Sequence, residues 1–147
     1  MLTGNHKSDS TEQIEAGIIL FQMTERWLGA KLQQNPHITM GRTYMEPDFY
    51  SEEEGVIGEI FTHFGKPRKA QNNKIANDML RILFAEKRLK RSFRKILVVC
   101  DEEVENYLRG DNLIAQEIRE FGFEIKRFEL PSEWKMKVIS AQRRQGA

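Results

Sequence analysis

Asp48 and Glu59 stand eleven positions apart, each in a segment with strand character, and a stretch rich in lysine and arginine follows them. Carboxylates on neighbouring strands can share one hard divalent cation. Basic side chains nearby can hold the phosphates of a polyanion. Glu46–Glu59 contains six acids and no Lys or Arg, whereas Lys66–Lys95 contains eleven bases against only Asp78 and Glu86. A cation at the scissile phosphate, with Lys and Arg on its neighbours, suits the hydrolysis of a polyanion. Glu52, Glu53 and Glu54 are read differently, as solvated turn residues. Lys87–Lys95 packs six bases into nine residues at a helix–strand junction.

These residues need elements to position them. Ser10 and Gln13 form a capping-box pattern, and Ile14, Ile18, Phe21 and Leu28 continue it as an amphipathic helix to about Gln33, stopped by Asn35-Pro36. Three strands are expected at about His37–Tyr44, Asp48–Ser51 and Val56–Phe64, joined as an antiparallel meander by turns at Glu46-Pro47 and Glu52–Gly55. A helix follows from about Ala70 to Lys87, with Ile75, Met79, Ile82 and Leu83 on its buried stripe. Lys95–Cys100 reads as a strand, apolar at every position from Ile96 on, as a strand covered on both faces would be. Helical segments on either side of Gly110-Asp111 lead to a last strand, Phe123–Leu130, and Pro131-Ser132 opens a terminal helix. The expected fold is therefore α/β: a mixed central sheet with helices on both faces, in the order α-β-β-β-α-β-α-β-α. The strand–helix–strand unit from Ile96 to Leu130 is expected to be a parallel crossover. Residues 1–10 are expected to be a flexible tail and residues 11–147 a single domain.

Composition narrows the setting. Cys100 is the one cysteine, which excludes an intramolecular disulfide and a thiolate metal cluster. The N-terminal residues lack the apolar core of a signal peptide, and no apolar run approaches the roughly 20 residues of a spanning helix. The expectation is a cytoplasmic protein with no membrane contact.

Pro47-Asp48 in one hairpin strand and Glu59 in the next resemble the signature of the PD-(D/E)XK, or restriction-endonuclease-like, nuclease superfamily. The element order over about residues 12–130 is similar to that superfamily's core. The stretch Gly58–Lys66 followed by Gln71–Lys74 also resembles a group of uncharacterised bacterial proteins assigned to this fold. The resemblance implies a Mg²⁺- or Mn²⁺-dependent nuclease, with DNA as the favoured substrate and a homodimer as one assembly. It implies metal ligation by Asp48, Glu59 and the Ile60 carbonyl. The family's lysine belongs two residues after the glutamate, where this chain has Phe61. Some members supply the base from the following helix. Lys74 is the candidate there, with Gln71 on the same helical face, and Lys66 and Lys69 in the loop between are other candidates. Lys66, Arg68 and Lys69 are the expected nucleic-acid contacts.

Period-two alternation puts Glu59, Phe61 and His63 on one face of their strand and Ile60, Thr62 and Phe64 on the other. His63 is thus a candidate for the metal, water or phosphate, against a local structural role. Glu15, with Glu25 as second choice, is the candidate for a further acid from the first helix. Asp101 is read as a helix N-cap, Cys100 as a buried small residue, and Trp27 and Trp134 as packing residues. Arg143 and Arg144 are read as phosphate contacts or solubilising charges. Three functions compete: a metal-dependent phosphodiesterase, a nuclease-like scaffold that binds nucleic acid or protein without chemistry, and a doubly wound ligand-binding domain. The last lacks a Gly-rich loop after Cys100.

Overall fold

The computed structural model describes residues 10–146. Residues 1–9 of the expected tail lie outside the described residues, and Ser10 is the N-cap of α1 (Thr11–Leu28). The capping box forms as the sequence implies: the Gln13 N–H donates to Ser10 Oγ at 3.1 Å, and the Ser10 N–H donates to Gln13 Oε1 at 2.9 Å. The helix ends five residues before Gln33. Gly29 takes the left-handed conformation at φ 65°, and its N–H closes on the Glu25 carbonyl. Leu32 then turns inward, with its N–H on the Glu25 carboxylate at 2.8 Å. That frees Gln33–Gln34 to pair as a short strand, β1.

The expected strand over His37–Tyr44 is instead a hairpin. β2 (Ile38–Met40) and β3 (Thr43–Met45) pair as a separate two-stranded sheet around Gly41, which has φ 67°. Met40 and Met45 on its inner face are buried against Met79 and Ile82. The main sheet contains β1, β4 (Phe49–Ser51), β5 (Val56–Phe61), β6 (Arg94–Val99) and β7 (Phe123–Arg127), in the order β1-β4-β5-β6-β7. β1–β4 and β4–β5 are antiparallel, while β5–β6 and β6–β7 are parallel. β5 stops at Phe61 and β7 at Arg127, each three residues short of the expected ends.

The remaining helices are α2 (Lys69–Leu89), α3 (Glu102–Leu108), α4 (Leu113–Glu120) and α5 (Ser132–Arg144). Alternation along β6 divides the core: Ile96 and Val98 pack with α1 and α5, Leu97 and Val99 with α2, α3 and α4. The sheet is thus mixed and covered by helices on both faces. Among the described residues, no helix is long and apolar enough to cross a membrane.

One pairing fixes the geometry of the acidic residues. Phe49 is the register partner of Gly58, and a Cβ on Gly58 would collide with the Phe49 ring and the Ile96 carbonyl oxygen. Gly58 lets the ring lie across β5 on the α1 face. The chain neighbours of this pair, Asp48 and Glu59, consequently face α2.

Candidate functional site

The extended register sets Asp48 directly opposite Glu59, where side chains on one face of an antiparallel pair stand about 5 Å apart. Asp48 Oδ2 accepts the Ile60 N–H at 2.7 Å, which ties the carboxylate to the end of β5. Asn35, at φ 48°, backs it from β1's side: its N–H donates to the Asp48 carbonyl at 3.2 Å and its Nδ2 lies 3.5 Å from Asp48 Oδ1.

Lys74 enters from the second turn of α2. Its Nζ donates to Asp78 Oδ2 at 3.2 Å, and Arg81 Nη1 reaches Asp78 Oδ1 at 3.4 Å from the solvent side. Glu59, Lys74 and Asp78 line a cavity of about 10 Å³, the room about one water needs. Ile75, Leu97, Val99 and Leu108 close its floor.

The electrostatics follow from three carboxyl groups meeting in a poorly hydrated place. Burial pushes Glu59 well above the ordinary carboxyl range, the charges of Asp48 and Asp78 add to it, and Lys74 opposes. Burial likewise raises Asp78, with Lys74 and Arg81 opposing. For Lys74 burial disfavours the charge, but Asp78, Asp48 and Glu59 outweigh it and hold the ammonium protonated, above its usual pKa. Two charged carboxylates about 5 Å apart repel by about 3 kcal/mol at an effective dielectric of about 20. The pair therefore keeps a proton unless a cation takes its place.

The donor set is oxygen only. Among the described residues no group of three or more His, Cys, Asp or Glu side chains is arranged to hold a metal ion. Asp48 and Glu59 could be joined by the Ile60 carbonyl, because ladder alternation turns the Ile60 N–H and C=O toward β4. Two carboxylates and a carbonyl are oxygen donors of the kind Mg²⁺ takes together with water, and the same oxygens suit Mn²⁺.

Several sequence candidates stand elsewhere. Gln71 spends its side chain on the α2 N-terminus, accepting the Arg68 N–H at 2.7 Å. His63 is buried and stacks on Phe61, with ring centroids 5.3 Å apart. Burial lowers its pKa, against the pull of Asp101, so it is neutral at neutral pH. Glu15 is exposed on α1, across the sheet from Glu59, and Glu25 is engaged at Leu32. Asp101 occupies the N-cap of α3 but makes no side-chain cap; its Oδ2 accepts the Gly65 N–H at 2.8 Å instead. Gln142 of α5 clamps the same loop, accepting the Phe64 N–H at 2.7 Å and donating to its carbonyl at 3.0 Å. Arg144 pairs with Glu12 at 2.9 Å. Lys66, Arg68 and Lys69 are exposed where this loop meets α2, with Lys66 Nζ 5.6 Å from the Tyr107 ring centroid. Phe61 lines the cavity where the family's lysine is expected.

Asp78 was not anticipated, since it reads as one of two acids in a basic stretch. Its signal was positional: it lies four residues after Lys74, three before Arg81, and between Ile75, Met79 and Ile82 on the buried stripe. The Lys66–Lys95 bases also do not form one surface. α2 carries them from the site to the other end of the strands, where Arg94 at the start of β6 pairs with Glu124 and Lys95 with Glu86.

No family model and no curated protein matches the chain. The crystal structure of AF1548, a protein of unknown function, is similar at 11% sequence identity and a TM-score of 0.47, covering 90% of this chain and 67% of that one.

Proposed function

We propose that this chain is a metal-dependent phosphodiesterase acting on nucleic acid, DNA in the first instance, on a fold of the restriction-endonuclease-like kind. The observation that carries the reading is the meeting of Asp48 and Glu59 from adjacent strands with the Lys74 ammonium from α2. Asp48, Glu59 and the Ile60 carbonyl would hold one Mg²⁺ or Mn²⁺. Bound there, the ion supplies charge neutralisation at the scissile phosphate and acidifies water. Lys74, held protonated, acts by charge: it faces a phosphate oxygen or orients the attacking water, and it is not the base. Asp78 and Arg81 fix its direction. Lys66, Arg68 and Lys69 serve as phosphate contacts at the α2 end of the site.

Phe61 favours a second reading, a nuclease-like scaffold that binds nucleic acid without cutting it, because an aromatic ring stacked on His63 fills the usual lysine position. One assay separates the two. The protein is incubated with supercoiled, linear and single-stranded DNA and with RNA, in Mg²⁺ or Mn²⁺. The hydrolase reading expects cleavage that EDTA stops and that Asp48→Ala lowers by about a hundredfold or more. Salt-sensitive binding of these substrates with no cleavage of any of them leaves the scaffold.

A further inference from the structure

Lys74, Arg81 and Arg88 occupy positions i, i+7 and i+14 of α2. Helix geometry sets such residues in one row, about 10.5 Å apart and about 21 Å from end to end. The row starts inside the carboxylate site and ends beside the β2–β3 hairpin. There the Arg88 guanidinium rests on the exposed Phe84 ring, 5.2 Å from its centroid. Arg88 Nη1 stands 4.0 Å from where a Cβ on Gly41 would be, which places it at the hairpin tip next to the exposed Arg42. Two guanidinium-bearing residues thus meet at the tip, and among the described residues neither forms a salt bridge. The two acids of α2 do not interrupt the row: Asp78 is buried under Lys74 and Arg81, and Glu86 turns to Lys95 on the sheet side. The row thus runs from the half-buried, Asp78-paired Lys74 through the exposed Arg81 to Arg88, and among the described residues no carboxylate pairs with its outer end.

We infer that this row is a backbone track. A nucleic-acid strand entering the site of the proposed hydrolase, on which this inference rests for its starting point, is held along α2 by Arg81 and Arg88 and gripped at the far end by Arg42. The ligand is then a polynucleotide, because 21 Å spans about six phosphates of a B-form strand at about 3.4 Å each. A mono- or dinucleotide reaches only the first cation.

The test uses fluorescence anisotropy in EDTA, so that cleavage plays no part. Labelled DNA of 4 and 16 nucleotides, single-stranded and duplex, is titrated with wild type, R88E, R42E and K87E. Lys87 is exposed and next to Arg88, but about 100° off the row, so K87E makes the same charge change outside the track. R88E and R42E are each expected to weaken 16-mer binding about tenfold and to lower the salt slope by about 1, leaving the 4-mer unchanged. K87E is expected to change affinity less than about threefold. Equal losses in K87E and R88E overturn the track, as do an unaffected 16-mer, a 4-mer bound as tightly as the 16-mer, or anionic lipid vesicles bound as tightly as DNA. Failure of the hydrolase reading looks different: the 16-mer binds in the expected pattern, yet Mn²⁺ produces no cleavage.

Discussion

Replacing Glu59 by Gln keeps the shape of the side chain and removes one titration from the buried site. In the folded chain Glu59 holds its proton well above 4.5, because it is desolvated and faces Asp48 and Asp78. The unfolded chain releases that proton near 4.5. Between those limits the folded state binds more protons, so this residue's contribution is fully present below the unfolded pKa and is lost as pH rises through the folded pKa. Across one pH unit inside the window the loss is about 1.4 kcal/mol. Gln does not titrate, so Glu59→Gln lacks that slope, and groups remote from the site cancel in the comparison. Between pH 5 and pH 6 the stability difference should move in the variant's favour, by up to about 1.4 kcal/mol, or up to about 3–6 °C in Tm. Thermal and urea unfolding in EDTA, for both proteins at both pH values, measure it. A gap that is the same at pH 5 and pH 6 means that Glu59 titrates as in the unfolded chain, and the argument for a proton-sharing carboxylate pair fails.

Other consequences are more local. Gly58→Ala should cost about 1–3 kcal/mol, since the Ile96 carbonyl oxygen cannot yield to a Cβ; an unchanged urea midpoint would remove Gly58 as the pin of the β4–β5 register. Gln142→Ala should cost about 1–3 kcal/mol by stripping two hydrogen bonds from Phe64, and limited proteolysis should then cut within residues 62–68. Cleavage no faster than in wild type argues against the clamp. Cys100 is buried and its thiol is pushed up to about 12; at pH 8 alkylation should be about a hundredfold or more slower in the native protein than in denaturant, and equal rates contradict that burial.

Much of this arrangement was legible in the residues. Ile96–Cys100 is apolar at every position, and both faces of that strand are covered. The Glu46-Pro47 turn and the Glu52–Gly55 turn bracket a short strand, which brings Asp48 and Glu59 opposite each other. The hairpin was not legible, because two three-residue strands around Gly41 carry no period long enough to separate from one extended strand. α1 looked longer than it is because Leu32 continues the apolar spacing, while Gly29 terminates the helix through backbone conformation alone. The site was half legible for a similar reason. Sequence spacing places Lys74 on α2, but Asp78's burial beneath it depends on packing against β5, and Gln71 and Asp101 turned to backbone N–H groups that only the folded loop presents.

Whether the carboxylate pair holds a cation is settled most directly by titrating Mn²⁺ into the metal-free protein, followed by calorimetry and by the electron paramagnetic resonance signal of free Mn²⁺. One ion per chain is expected for wild type, with binding lost in Asp48→Ala and in Glu59→Gln although both variants remain folded. Wild type that takes up no Mn²⁺, or variants that bind it as well as wild type does, would contradict the assignment of Asp48 and Glu59 as ligands.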